Sequence, residues 1–257
     1  MNIFLYAIIF IIGTFFGSFF TLAVYRIPKK EDILIKHSYC PNCNHKLGFF
    51  DLFPVFSYIF LGGKCRYCKD KIRPRYLILE LLSGFAFLFF ALAFKVSVFN
   101  ISNQINFIAT LIYSSILFIV AGIDKEKVII SKSVIFCGYI LEIIYMIYQY
   151  TLGIFNVYQY VIYLILLVVV LVLDNIFTMV TMIKKYYIQV LYLALYIIIF
   201  GGAKIFILSV ILALLIIAIH NLLNKNKKAP IPVGFYLSIS NLIIILIANI
   251  LNGVKKK

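Results

Sequence analysis

Four cysteines and two aspartates are the residues of this 257-residue chain whose types and spacing could do chemistry. Cys40 and Cys43 form one CxxC; Cys65 and Cys68 form a second, with 21 residues between the pairs. Each CxxC turn aims two thiolates at one point. Two such turns close the tetrahedral shell of a structural zinc ion. The separation is slightly wider than that of the usual double knuckle. A closed four-sulfur shell leaves no position for water, so the zinc expected here is structural. Two redox-active pairs and four buried free thiols are the alternatives. A cytoplasmic loop stays reduced, which argues against the first; the paired spacing argues against the second. Cys137 falls mid-span and reads as packing. His37 and His45 flank the cysteines and read as solvated loop residues.

Outside the cysteine region five acids remain: Glu80, Asp124, Glu126, Glu142 and Asp174. A carboxylate inside a membrane costs roughly 3 kcal/mol on insertion scales and needs a reason to be there. Asp124 ends the run LIYSSILFIVAGID, and Asp174 interrupts LVVVLVLDNIFTMV. Brought together, two aspartates can share a proton. The charged one activates water while the protonated one donates to the scissile carbonyl, which is aspartic protease chemistry without a metal. The plainer readings are an interfacial boundary for Asp124 and a partnered packing residue for Asp174. Glu80 is expected to pair with Arg73 or Arg75. Glu142 lies near mid-span, with no assigned role.

The elements that must position these groups are membrane helices. The chain is 64% apolar and 13% charged, with a mean hydropathy of +1.07. Soluble domains average about half apolar and a quarter charged. That excludes a disordered chain, a secreted disulfide scaffold and a coiled coil. Spans need about 20 apolar residues. Eight are expected: 3–25, 76–98, 105–123, 133–150, 157–183, 186–200, 205–224 and 231–252. The fold class is therefore an all-α membrane protein in three parts: a first transmembrane helix at 1–25, a cytoplasmic four-cysteine loop at 26–75 and a seven-helix domain at 76–257.

The net charge of +15 reads as topology rather than nucleic-acid binding, and no nucleic-acid partner is expected. Eleven of the 24 basic residues lie in 26–75. Basic residues collect in cytoplasmic loops, so the N-terminus is placed outside and the cysteine loop inside, in a multi-pass cell-membrane protein. The inside loops would then be 26–75, Asp124–Lys132, Lys184–Lys185 and Asn224–Lys228, all basic. The terminal Lys255–Lys257 runs against that rule.

These residues resemble the type IV prepilin leader peptidases, bifunctional enzymes that cleave and N-methylate pilin-like precursors. GSFFTLAVYRIP (Gly17 to Pro28) resembles the family's GSFLNVVIYRLP. CPNC, DLFPVFSYIFLGGKCRYC and KIRPRYLILELLSG follow the family's loop, and KKAPIPVGFYLSIS (Lys227 to Ser240) resembles KxxPIPFGPFLAxG. The resemblance implies an intramembrane aspartyl protease of the GxGD type, with Asp124 as the first catalytic Asp in a D-x6-P-[DN] pattern. Ser131 stands at the Pro and Lys132 at the Asp or Asn. No GxGD occurs in the chain. Aligning Lys184 with the motif's Lys makes the window Met179 to Met182; counting back from Gly201 and Gly202 lands on Val190. Asp174 is then the provisional second catalytic residue. The resemblance also implies S-adenosylmethionine as cofactor if the methyltransferase activity is retained, and type IV prepilins or pseudopilins and the lipid bilayer as partners.

Two functions follow. One is a prepilin leader peptidase acting at the cytoplasmic membrane face and methylating the new N-terminus. The other is a catalytically degenerate paralogue that binds, or only methylates, pilin-like substrates.

Overall fold

The structure, a computed structural model, describes residues 2–33, 37–96, 101–153, 157–176, 182–223 and 230–255. Among the described residues it is all helical. The helices are α1 (Asn2–Arg26), α2 (Phe56–Phe60), α3 (Arg75–Ala93), α4 (Ile101–Lys127), α5 (Lys132–Thr151), α6 (Val157–Ile176), α7 (Met182–Leu223) and α8 (Val233–Lys255). All but the five-residue α2 are long and apolar enough to cross a membrane. The expected all-α membrane class is the one observed, and the protein is a multi-pass membrane protein.

Two of the eight expected spans, 186–200 and 205–224, share α7. That helix has 42 residues, about 63 Å if straight and twice a hydrocarbon core of about 30 Å. It breaks at Gly202, with φ 77° and ψ 167°, a backbone region open essentially to glycine alone. Lys184 and Lys185 fall in the first turn of α7 rather than in a separate loop, and the described part of α6 runs to Ile176. Residues 177–181, with most of the window searched for a second acid, lie outside the described residues. So does the expected loop Asn224–Lys228.

The chain folds as two units, Met1–Phe107 and Ile108–Lys257. In the first, α1 and α3 lie side by side because small residues meet. A Cβ on Gly13 would come within 2.8 Å of the Gly84 Cα, and one on Gly17 would strike Ser83 Oγ and lie 2.6 Å from the Glu80 Cα. Without side chains there, the Ser83 hydroxyl donates across to the Gly13 carbonyl at 2.8 Å. Lipid gives apolar helices no hydrophobic drive to associate, so close backbone approach of this kind is what holds such a pair. At the end of α1, Arg26 is buried. It donates to the Asp32 carbonyl at 2.8 Å and the His37 carbonyl at 3.0 Å, which sets the path into the cysteine loop.

Glu80 is placed differently from its expected pairing with Arg73 or Arg75. Its Oε2 accepts the Val55 N–H at 2.8 Å, and it also takes a hydrogen bond from Ser18. Glu80 lies in the second turn of α3, on the face that meets α1 beside Gly17.

In the second unit the core is aromatic and hydrogen-bonded. Tyr113 of α4 stacks on Phe200 and Tyr196 of α7, with ring centroids 3.9 and 4.9 Å apart. Its hydroxyl donates to Asn241 of α8 at 2.7 Å, and Asn241 donates to Ser209 at 3.0 Å. Such bonds satisfy polar groups that lipid cannot. Glu142 is 5% exposed, with neither carboxylate oxygen hydrogen-bonded.

Candidate functional site

The cysteine loop is two copies of one turn. In the first, the Cys40 N–H donates to the His45 carbonyl, the Asn44 N–H to the Cys40 carbonyl and the Leu47 N–H to the Ser38 carbonyl. In the second, Cys65 donates to Asp70, Lys69 to Cys65 and Ile72 to Gly63. Asn44 and Lys69 occupy equivalent positions and both have positive φ, 55° and 62°. Each turn therefore presents its two sulfurs the same way, and the two turns face each other. The four ligand atoms all lie within 4.8 Å of one another, and Cys40 Sγ is 3.8 Å from Cys68 Sγ. A tetrahedral site with metal–sulfur bonds of about 2.3 Å requires sulfurs about 3.8 Å apart. The four cysteines thus form a group that could hold a metal ion, and they fit zinc.

The electrostatics agree. Cys65 is drawn down to about 7, first by the N–H of Cys68 and then, against desolvation, by that of Tyr67. Cys68 goes the other way, up to about 12: the Asp70 N–H favours its thiolate, but desolvation and the three other sulfurs oppose it. Four sulfurs this close cannot all ionise without a cation among them. His45 is no ligand here. Its ring stacks on Tyr67 at a centroid distance of 3.6 Å, joining one knuckle to the other. Asp51 braces the second knuckle, accepting from Arg66 at 2.6 Å, Tyr67 at 3.1 Å and the Gly48 N–H at 3.0 Å.

Asp124 sits near the end of α4 and is fully buried. The segment PIPVGF builds its surroundings. Pro230 and Pro232 bring the chain in and, lacking N–H groups, leave no donor unsatisfied. α8 then starts at Val233, and its N-terminus faces the carboxylate. The Phe235 N–H donates to Oδ2 at 2.9 Å, an arrangement in which unpaired amides and the positive helix end meet an anion. Gly234 is needed for the approach, since its Cβ would lie 3.0 Å from Oδ2 and 2.8 Å from Ile130. The Tyr186 hydroxyl also donates to Oδ2, at 3.0 Å, and in turn accepts the Gly234 N–H at 3.3 Å. Oδ1 makes no protein hydrogen bond.

Asp174, near the end of α6, has other partners. Its Oδ2 accepts the Lys132 ammonium and the Tyr192 hydroxyl, the latter at 3.2 Å. The partners of the two aspartates do not overlap. Both tyrosines come from α7, six residues apart, which is about 9 Å along a helix. Lys132, where the family pattern expects an Asp or Asn, is thus engaged by the acid that sequence reasoning made the provisional second catalytic residue.

Tyr186 was missed by sequence reasoning, because only carboxylates were sought at the start of α7. The available signal was a phenol two residues beyond Lys184, between Met182 and Val190, the two positions to which the family pattern assigned its second acid. Gln189 was missed too. Its Oε1 accepts the Ile130 N–H at 3.2 Å and fixes the turn after α4.

Residues 11–94 match the family described as the Bacterial Peptidase A24 N-terminal domain. Among curated proteins, the chain is 32% identical over 151 residues to a prepilin leader peptidase/N-methyltransferase of Vibrio cholerae serotype O1, covering 55% of this chain and 57% of that protein. It is 30% identical over 129 residues to the Bacillus subtilis protein of the same name, covering 50% and 49%. It is 35% identical over 79 residues to the one from Myxococcus xanthus, covering 31% and 24%. The chain spans about half the length, or less, of these relatives. No solved structure matches. The matched N-terminal domain holds most of α1, the twin knuckles and α3, and there the chain is similar to the N-terminal domain of the bacterial A24 peptidases and to these prepilin leader peptidase/N-methyltransferases.

Proposed function

We propose that this chain is a prepilin leader peptidase that acts on type IV pilin-like precursors at the cytoplasmic membrane face, with Asp124 as a catalytic carboxylate. One observation carries the reading. Asp124 is completely buried, one oxygen is fixed by a helix N-terminus and a tyrosine, and the other makes no protein bond. A carboxylate so held has one oxygen to position a water against a scissile carbonyl. Asp174 is the partner acid in this reading, and it must leave Lys132 to share a proton with Asp124. The four cysteines hold structural zinc, which staples the cytoplasmic loop. The relatives' names also include N-methyltransferase; if this chain methylates, S-adenosylmethionine is its cofactor.

The Asp174–Lys132 pair favours a second reading, in which the chain binds or methylates pilin-like substrates without cleaving them. Two departures from the family pattern, Lys132 and a displaced Asp, satisfy each other here instead of completing a dyad.

The test is cleavage of a co-expressed prepilin, read as a mobility shift and confirmed by intact mass. Loss of cleavage in both Asp124→Asn and Asp174→Asn establishes the peptidase with a displaced second acid. Loss in Asp124→Asn alone keeps Asp124 and removes Asp174. No cleavage by the zinc-loaded wild type, beside an active relative in the same assay, establishes the second reading. Mass gain at the substrate N-terminus reports methylation in each case.

A further inference from the structure

Between the knuckles the chain reads as a polar loop in position only. Phe50 and Phe60 are 76% and 83% exposed, and Phe49, Phe56 and Ile59 are also exposed. A patch of this kind on a protein surface marks an interaction site. Its neighbour identifies the occupant. Phe53 packs edge-on against Phe15 of α1, with centroids 5.3 Å apart, and the ring contacts run on from Phe53 to Phe49 and to Phe56, then Phe60. Phe15 is on the outward face of a membrane helix, eleven residues or about 16 Å from Arg26. The aromatic patch is therefore continuous with the outward surface of α1, about three turns from its Arg26 end.

A second tie lies at nearly the same level of the helix pair, since a Cβ on Gly17 of α1 would lie 2.6 Å from the Glu80 Cα. The Val55 N–H bonds Glu80, five residues or about 8 Å into α3. Val55 has φ 63°, rare for a β-branched residue, and the Phe56 N–H closes a γ-turn on the Pro54 carbonyl at 2.6 Å. The turn drives the chain to that point and back. Its backbone is suited to lipid, where polar groups must be satisfied internally. The N–H groups of Ser57, Ile59, Leu61, Gly62 and Gly63 all bond to carbonyls of the same segment. Exposed Lys46 and Lys64 flank it, as anionic headgroups would favour.

We propose that residues 52–61 insert into the bilayer beside α1 and α3, with Phe49 and Phe50 at its surface, so that the segment between the knuckles is a re-entrant membrane anchor that seats the metal site on the lipid. The chain has no tryptophan, so each of Phe60→Trp, Phe19→Trp (outward on α1) and Lys71→Trp (on the second knuckle) carries a single indole. The zinc-loaded full chain is reconstituted in phosphatidylcholine–phosphatidylglycerol vesicles, with or without bromine on the acyl chains. The expected result is a blue-shifted Phe60→Trp emission, quenched by brominated lipid to within about twofold of Phe19→Trp and protected from aqueous iodide relative to Lys71→Trp. Iodide quenching equal to that of Lys71→Trp overturns the proposal in favour of a solvated loop. Protection from both quenchers overturns it in favour of a protein cover. Phe56→Trp, read the same way, replaces Phe60→Trp if that variant loses its metal.

Discussion

The cysteines and the aspartates are held by opposite means. Each knuckle fixes its sulfurs with the same three backbone hydrogen bonds, repeated 25 residues further along the chain. The aspartates are fixed by side chains and one helix end drawn from α5, α7 and α8, and no bond of one is repeated at the other. A site built from local backbone survives sequence change around it, because any side chain can accompany an amide. A site built from distant side chains changes character when one position changes, as Lys132 shows.

The largest way to break this comparison is to remove a sulfur. Cys40→Ser and Cys68→Ser are each expected to take bound zinc from about one ion per chain to none, because three sulfurs leave the shell open. Structural zinc contributes on the order of 10 kcal/mol to small domains. Zinc content by plasma mass spectrometry and amide exchange over 37–72 read the loss. If the local-backbone picture holds, protection of the amides in 108–151 and 186–223 stays unchanged; a matching loss there would end the distinction.

A smaller effect is expected from Gly17→Val. Its side chain would displace Ser83 and the α3 backbone, and overpacking of this sort costs about 1–3 kcal/mol. A lowered midpoint for unfolding in detergent, with zinc retained until that midpoint, is the outcome to look for. A normal midpoint would mean that the α1–α3 contact is not close-packed.

Legibility divided along the same line. CxxC spacing names its four sulfurs without a fold, because the turn that aims them is local. The apolar runs likewise placed the helices, including both halves of α7, whose break at Gly202 is written as two adjacent glycines. Tyr186 was not legible, because a tyrosine at a helix start has no signature until Asp124 is opposite it. Nor was the partner of Glu80. Sequence proximity suggested Arg73 or Arg75, but helix geometry turned the carboxylate toward Val55. The aromatic run 49–60 was read as loop because two cysteine pairs bracket it; the γ-turn at Val55 is a backbone event with no residue-type cue.

Tyr186→Phe sharpens the other side of the comparison. It removes a donor to Asp124 and an acceptor for the Gly234 N–H, both in a buried site, at an expected cost of about 1–3 kcal/mol. In a double-mutant cycle with Asp124→Asn, coupling above about 0.5 kcal/mol places the two in one network. Additive losses would show that the phenol does not act on the carboxylate.

The smallest expected effect belongs to Asp51, which joins the 48–51 turn to the second knuckle. Desolvation raises its carboxyl, but the Gly48 N–H, Arg66 and Tyr67 outweigh it and hold the group below the usual carboxylate range. A carboxyl whose folded value is depressed stabilises the fold above its unfolded value, near 3.9, and loses that contribution as pH falls through the folded value. Its ionic partner Arg66 is half exposed, so the contribution is under about 1 kcal/mol. Asp51→Asn should therefore lower the unfolding midpoint slightly at about pH 6 to 7, and the gap from wild type should close as pH drops below about 4. Comparing the gap between the two chains, rather than either alone, cancels the protonation of the thiolates, which both share. A gap that stays constant with pH would mean that Asp51 acts through its shape and neutral hydrogen bonds. The second knuckle would then need no charge to brace it, and backbone alone would account for both turns.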